Sequence, residues 1–374
     1  MKGLAIVDKG LEKITLEEIK EIIKTKGEIK ETIVLFDIKK EEDLCRLAYK
    51  SQSVRRILLL LKKIEVKQDF EENSEILRKE LENTNLKKYK SKKIRVECER
   101  CGEHNFNSTD VAKEASTTLR KNGFEISLKD SDIIIYIYIK NDEGYICIDY
   151  SGKDLSKRDY RIFTKPSSLK GTLAFALVKT ANYKEGELFV DPYSESGIIA
   201  IEAAICAIKK PVHFYKKEFA FQKINSKFEK VFSEEDKKIK KKVKGIYAFD
   251  KLLKNVNDSK KNAKIAGVEK IINFSKTDIE WLDTKFEKKS VDKIVTKLPS
   301  ESKRMSKNVV EKIYQELFYQ AEFILKDEGL VVICSQKNDV LKEEAKKKKF
   351  KIIEEQTIFS GQQEHKTSSF QKSL

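Results

Sequence analysis

Three times in the second half of the chain, a short apolar run ends in an aspartate and gives way to a helix-forming stretch. "ELFVDPY" ends near Asp191, "KGIYAFDKL" near Asp250 and "KIINFSKTD" at Asp278. "VDKIVTKLP" and "GLVVICSQ" read as two more strands, separated by the helical "KNVVEKIYQELFYQAEFILKD". Strands alternating with helices predict a doubly wound, largely parallel α/β sheet. Ligands of such sheets sit beyond the carboxyl ends of the strands. Aspartate is common in turns for its own reasons, but three acids at successive strand ends point to a ligand site.

The turn after the first of these strands, "DPYSESGIIAIEAA", has Gly197 as its only glycine. No G-x-G-x-x-G follows that strand, and Asp250 lies much further on than the roughly 20 residues that separate a dinucleotide turn from its ribose acid. A G-x-x-x-x-G-K-[ST] loop is also missing, which excludes a P-loop nucleotidase. A nucleoside ligand without a pyrophosphate remains. S-adenosylmethionine fits, because its ribose diol needs a carboxylate and its methionine end needs close backbone approach.

The first 65 or so residues read as a small βαβαβ-like unit, with "EIKETIVLFDI" as one strand. A charged helix, the strand "KKIRVECER", the helix "NSTDVAKEASTTLRKNG" with Ser108 or Asp110 as its cap, and a hairpin turned at Asn141–Gly144 form a second unit ending near Gly152. A basic connector, "KDLSKRDYRIFTKPSS", follows. Segment 216–244 interrupts the later alternation, and its "KKIKKKVK" reads as the solvated face of an inserted helix.

The net charge of +16 over 374 residues favours a polyanionic partner, with solubility as the competing explanation. No early run is long and apolar enough for a signal peptide or spanning helix, so a cytoplasmic protein without membrane association is expected. The six cysteines are expected as thiols. Cys98 and Cys101, with His104 beyond, have metal-like spacing, but a structural zinc site needs four ligands and no second pair exists. No metal is expected.

"RVECERCGEHNFNSTDV", "LSKRDYR", "LFVDPYSESGIIAIEAA", "NAKIAGVEKI" and "VDKIVTKLPS" occur in the order found in THUMP-domain RNA methyltransferases. Nearly the whole chain resembles that family, and within it the archaeal tRNA guanine-N2-methyltransferases. The resemblance implies a ferredoxin-like domain (1–66), a THUMP RNA-binding domain (67–152), a basic linker (153–171) and a Rossmann-like class I methyltransferase domain (172–374). It implies S-adenosylmethionine as cofactor and tRNA as partner, with pairing to an identical chain or an active paralogue as a further expectation. Its first motif is similar to D-P-x-C-G-S-G-T. Asp191, Pro192, Ser196 and Gly197 match; Ser194 stands at the cysteine, Glu195 at the first glycine and Ile198 at the threonine. Asp250 matches the ribose acid and Asp278 the acid near the adenine. The base-handling motif, N-L-P-F-G or N-P-P-Y-G, is here Lys297, Leu298, Pro299, Ser300 and Glu301.

Methylating an exocyclic amine needs acceptors on its N–H groups, and a charged lysine offers three donors and no acceptor. Ser300 cannot stack on a base as an aromatic can. Glu195 brings a side chain to a place of close backbone approach, where any positive φ is costly. Together these departures predict a tRNA-binding protein with weak or absent catalysis. The alternatives are an active S-adenosylmethionine-dependent tRNA guanine-N2-methyltransferase and a non-RNA interaction module. Arg100 and His104 are expected on the RNA side, and Lys157, Arg158, Tyr160 and Arg161 are expected to meet phosphate and offer a stacking ring.

Overall fold

The computed structural model describes residues 1–373 apart from 241, 304, 337 and 338. Two seven-stranded sheets organise the chain. The first begins with β1 (Lys2–Val7), α1 (Glu12–Ile23), β2 (Gly27–Lys30), β3 (Ile33–Asp37), α2 (Glu42–Lys50) and β4 (Val54–Glu65), a βαββαβ succession. It continues with α3 (Phe70–Asn83), β5 (Ile94–Cys101), α4 (Ser108–Lys121), β6 (Ile133–Lys140) and β7 (Glu143–Asp149). The strand order is β2-β3-β1-β4-β7-β6-β5. The 12-residue β4 pairs with β1 along one edge and with β7 along the other. The two N-terminal units therefore share one sheet.

The stretch expected as one strand, "EIKETIVLFDI", is a hairpin of β2 and β3. Its turn carries no glycine or asparagine signal. Instead Thr32, at φ 66°, is held from outside. Its amide donates to Glu12 Oε1 at 2.8 Å, and its hydroxyl is 2.7 Å from that of Tyr138.

The second sheet is built from α5 (Gly171–Thr180), β8 (Phe189–Asp191), α6 (Ile198–Ala207), α7 (Ala220–Ile224), α8 (Lys230–Asp236), β9 (Ile246–Asp250), α9 (Leu253–Ala266), β10 (Ile272–Lys276), β11 (Val291–Lys297), α10 (Lys307–Ile324), β12 (Leu325–Ser335), α11 (Asp339–Lys347), β13 (Phe350–Ser360) and β14 (Gln363–Lys372). Its order is β10-β9-β8-β11-β12-β14-β13, parallel from β10 to β12, with β14 and β13 antiparallel. Helices α5, α6 and α9 pack one apolar core against it; α10 and α11 pack a second. This is the Rossmann-like α/β architecture expected from the strand–helix alternation.

Segment 216–244 departs from its expected role. Phe219, Phe221, Ile224, Phe228, Val231 and Phe232 are buried in the core of the first sheet, with the Phe232 ring 4.8 Å from Tyr49. Glu235 at the end of α8 is buried and pairs with Arg46 and Lys50 of α2, each at 2.7 Å. The lysine run begins only after α8 ends, and its described residues lie in no helix; Lys237, Lys238, Lys242 and Lys244 are exposed. The buried aromatic rings upstream tie the segment to the first core, and burial of each such ring contributes about 1.5–3 kcal/mol.

Among the described residues, no helix is long and apolar enough to cross a membrane.

Candidate functional site

In chain order the parallel strands of the second sheet run 3-2-1-4-5, so the order reverses between β8 and β11. That switch point is where open α/β sheets form their ligand crevice. A cleft of about 240 Å³ lies there, lined by Leu169, Tyr193, Ser194, Glu195, Ser196, Ile198, Ile199 and Lys297.

Asp191 ends β8, Asp250 ends the adjacent β9, and Asp278 lies two residues beyond β10. Asp191 is buried. Its Oδ1 accepts from Thr296 Oγ1 at 2.8 Å and from the Tyr193 amide at 3.3 Å, while Oδ2 has no partner. Burial pushes its carboxyl up to about 8, aided by the nearby charges of Asp250 and Glu195 and opposed by the Thr296 and Tyr193 hydrogen bonds. Burial, with Asp250, Glu195 and Asp278 around it, also pushes the Tyr193 phenol up to about 12. Asp278 Oδ1 accepts from the Ile279 amide at 2.7 Å and so caps the turn that follows. Pro192 is buried beside Asp191.

The Asp250 carboxylate is already engaged. Its Oδ1 accepts from the Leu252 amide and Asn255 Nδ2, both at 2.9 Å, and its Oδ2 accepts from the Glu195 amide at 3.1 Å. Glu195 stands at φ 46°, a left-handed conformation that costs a non-glycine residue roughly 1–3 kcal/mol. The turn is held by Ser259 and Asn262 of α9: Ser259 Oγ donates to the Glu195 carbonyl at 3.1 Å and Asn262 Nδ2 to the Ser196 carbonyl at 3.0 Å. At Gly197, φ 76°, a Cβ would lie 2.8 Å from Ser259 Cβ, so glycine is needed there.

Of the four residues expected to handle the base, Lys297, Leu298, Pro299 and Ser300, only Lys297 lines the cleft; its ammonium donates to the Ser167 carbonyl. Leu298 is buried in the core behind. The Pro299 carbonyl accepts from Tyr314 Oη at 2.8 Å, and Ser300 Oγ accepts from the Gln336 amide at 3.3 Å. Ser167, Ser259 and Asn262 carried no separate signal in the sequence, apart from Asn262 opening the quoted "NAKIAGVEKI".

The expected RNA-side residues divide. Arg158 and Tyr160 are corrected: both are buried and neither faces outward. Arg158 Nε donates to Glu202 Oε1 at 2.7 Å, its guanidinium also bonds the Leu155 and Gln52 carbonyls, and Tyr160 Oη donates to Glu202 at 2.5 Å. Burial acts to discharge Arg158, but the Glu202 carboxylate beside it keeps its pKa above the ordinary value. The charged pair is thus an internal joint. Arg161 is half-buried and donates to the Ser168 carbonyl at 3.3 Å; Lys157 is exposed. Arg100 and His104 shape their own loop. Arg100 donates to His104 Nδ1 at 2.9 Å, which leaves His104 Nε2–H to donate to the Asn141 carbonyl at 2.6 Å. Cys98 and Cys101, three apart on β5, project to opposite faces of the sheet.

A second, larger depression, about 730 Å³, was not legible in advance. Arg95, Lys129, Lys153 and Lys223 line it from four separate segments, together with Phe219, and with Asp132 and Glu218 as the opposing charges. Lys153 Nζ lies 4.8 Å from the Phe219 ring centroid.

The family described as RMKL-like, methyltransferase domain, matches residues 158–366, and the THUMP domain matches residues 70–149. The chain is 29% identical to the tRNA (guanine(6)-N2)-methyltransferase of Methanocaldococcus jannaschii, over 94% of this chain and 95% of the relative. It is 24% identical to the protein of the same name from Archaeoglobus fulgidus, over 73% and 68% of the two chains. TrmN from Thermus thermophilus shares the fold with a TM-score of 0.75 at 20% identity, covering 100% of this chain and 99% of that one. These matches imply S-adenosylmethionine as the family's cofactor. At the cleft the Asp250 carboxylate already accepts from two backbone amides and Asn255, and the Lys297 ammonium is engaged by the Ser167 carbonyl.

Proposed function

Because the chain belongs to the RMKL-like methyltransferase-domain family and carries a THUMP domain, we propose that it is a tRNA-binding protein in which methyl transfer is weak or absent. In this reading Asp191, Pro192, Glu195, Ser196, Gly197, Asp250 and Asp278 are a remnant cofactor site, and Lys297, Leu298, Pro299 and Ser300 a remnant base site. The observation that carries it is the meeting of Glu195 and Lys297 in one cleft at the switch point. A lysine there supplies no acceptor for an amine and repels a sulfonium. The division at residues 66, 152 and 171, and pairing with an identical chain or paralogue, belong to the same reading.

The RNA half rests on the THUMP match, the charge of +16 and the depression lined by Arg95, Lys129, Lys153 and Lys223. Four neutralised phosphates would give a slope of log K against log salt of about −3 to −4. Binding of unmodified tRNA over a salt series, followed by a methyl-transfer assay on the same tRNA, tests both halves. Salt-dependent binding without turnover is expected. Salt-independent or absent binding removes the RNA reading, and robust turnover removes the impaired-catalysis reading. The second reading, an active tRNA guanine-N2-methyltransferase, is favoured by the full-length match to the M. jannaschii relative, and turnover would select it.

A further inference from the structure

Residues 162–169 form no helix or strand, and their end meets the strand-end cleft through Ser167, Ser168 and Leu169. Asn262 anchors one part: its side chain accepts from the Phe163 amide at 3.0 Å, donates to the Phe163 carbonyl at 2.9 Å and also bonds the cofactor turn at Ser196. Ser168 Oγ lies 3.0 Å from Ser196 Oγ and accepts from the Lys165 amide at 3.0 Å. Leu169 is buried and lines the cleft.

Ser167 is held differently. Its hydroxyl donates to Glu195 Oε1 at 3.4 Å, and its carbonyl accepts from the Lys297 ammonium. These partners stand where the resembled motifs have the first glycine of the turn and the asparagine of the base-handling stretch. Glycine at 195 has no side chain to accept the hydroxyl. Asparagine at 297 is shorter by two carbons and would reach less far.

We propose that Glu195 and Lys297 form a single clasp on Ser167, which holds the 162–169 segment closed over the cleft. The two departures are then one device rather than two independent losses. This deepens the functional reading above and rests on it for the identity of the cleft. Both contacts join a charged group to a neutral one at the surface, the Ser167–Glu195 contact is long, and they are individually weak. The strap is therefore releasable.

Hydrogen exchange on the intact chain tests this. The reporters are the amides of Lys165 and Ser168, which bond within the strap; the β12 amides report folding. Lys297→Ala and Glu195→Ala are each expected to speed strap exchange about fivefold, with β12 unchanged. The double variant should be no faster than the faster single, because either change opens the same clasp. Unchanged strap exchange in folded single variants overturns the proposal, and so do independent effects that multiply in the double. Should one variant not fold, the other still decides between faster and unchanged exchange. Robust methyl transfer by the wild type would remove the reading of impaired catalysis and leave the clasp standing. Absent transfer with unresponsive strap exchange would do the reverse.

Discussion

The connector meets the methyltransferase unit at two places built in opposite ways. Near its start, Arg158 and Tyr160 converge on Glu202 of α6, and all three are buried. Glu202 also accepts from Gln52 Nε2, and Gln52 and Ser53 donate their amides to the buried Glu18, so the same joint reaches the first sheet. Near its end, Ser167 meets Glu195 and Lys297 at the surface. Hydrogen-bonded charges that are dehydrated make a fixed joint, because removing one partner strands the other. The same kind of contact in water is worth little and can open. One end of the connector is therefore structural and the other adjustable.

The largest effect should come from breaking the buried joint. Glu202→Ala leaves Arg158 charged and unpaired inside the protein, and urea denaturation should register a loss of about 3–5 kcal/mol. A loss below ~1 kcal/mol would erase the contrast between the two joints. Breaking the surface clasp with Lys297→Ala should change global stability by less than ~1 kcal/mol in the same measurement.

A pH dependence comes from Asp191, beneath the turn that carries Glu195. Its carboxyl rises from 3.8 to about 8 on folding, mainly through burial. The folded chain keeps a proton that the unfolded chain releases. The resulting stability is complete below about pH 4, falls as pH rises from 4 to 8, and is gone above 8. Asp191→Asn does not titrate, so its stability relative to wild type should climb between pH 4 and pH 8 and then level. Denaturation midpoints of both proteins across that range check this; a constant difference would mean that Asp191 titrates alike in both states.

Much of this was readable from local pattern. The acid-ended apolar runs gave β8, β9 and β10, and the cleft lies at the switch point next to them. Arg158 and Tyr160 were misread because "LSKRDYR" looks like a solvent-facing basic linker, and its buried partner Glu202 lies 44 residues further on. The Thr32 turn was missed for the same reason: Glu12 and Tyr138 stabilise it from distant positions. In segment 216–244 the lysines drew notice, while the phenylalanines that fill the first core are too irregularly spaced to show a helical period. Ser167 was invisible because its importance lies in two side chains that only the fold brings to it.

The most direct test of the central claim is calorimetry of the intact chain with S-adenosylmethionine, comparing the wild type with the Glu195→Gly, Lys297→Asn double variant. Wild-type binding is expected to be weaker than about 1 mM, with measurable affinity gained in the variant. Wild-type binding at about 1 μM or tighter, unchanged by the two substitutions, would contradict it.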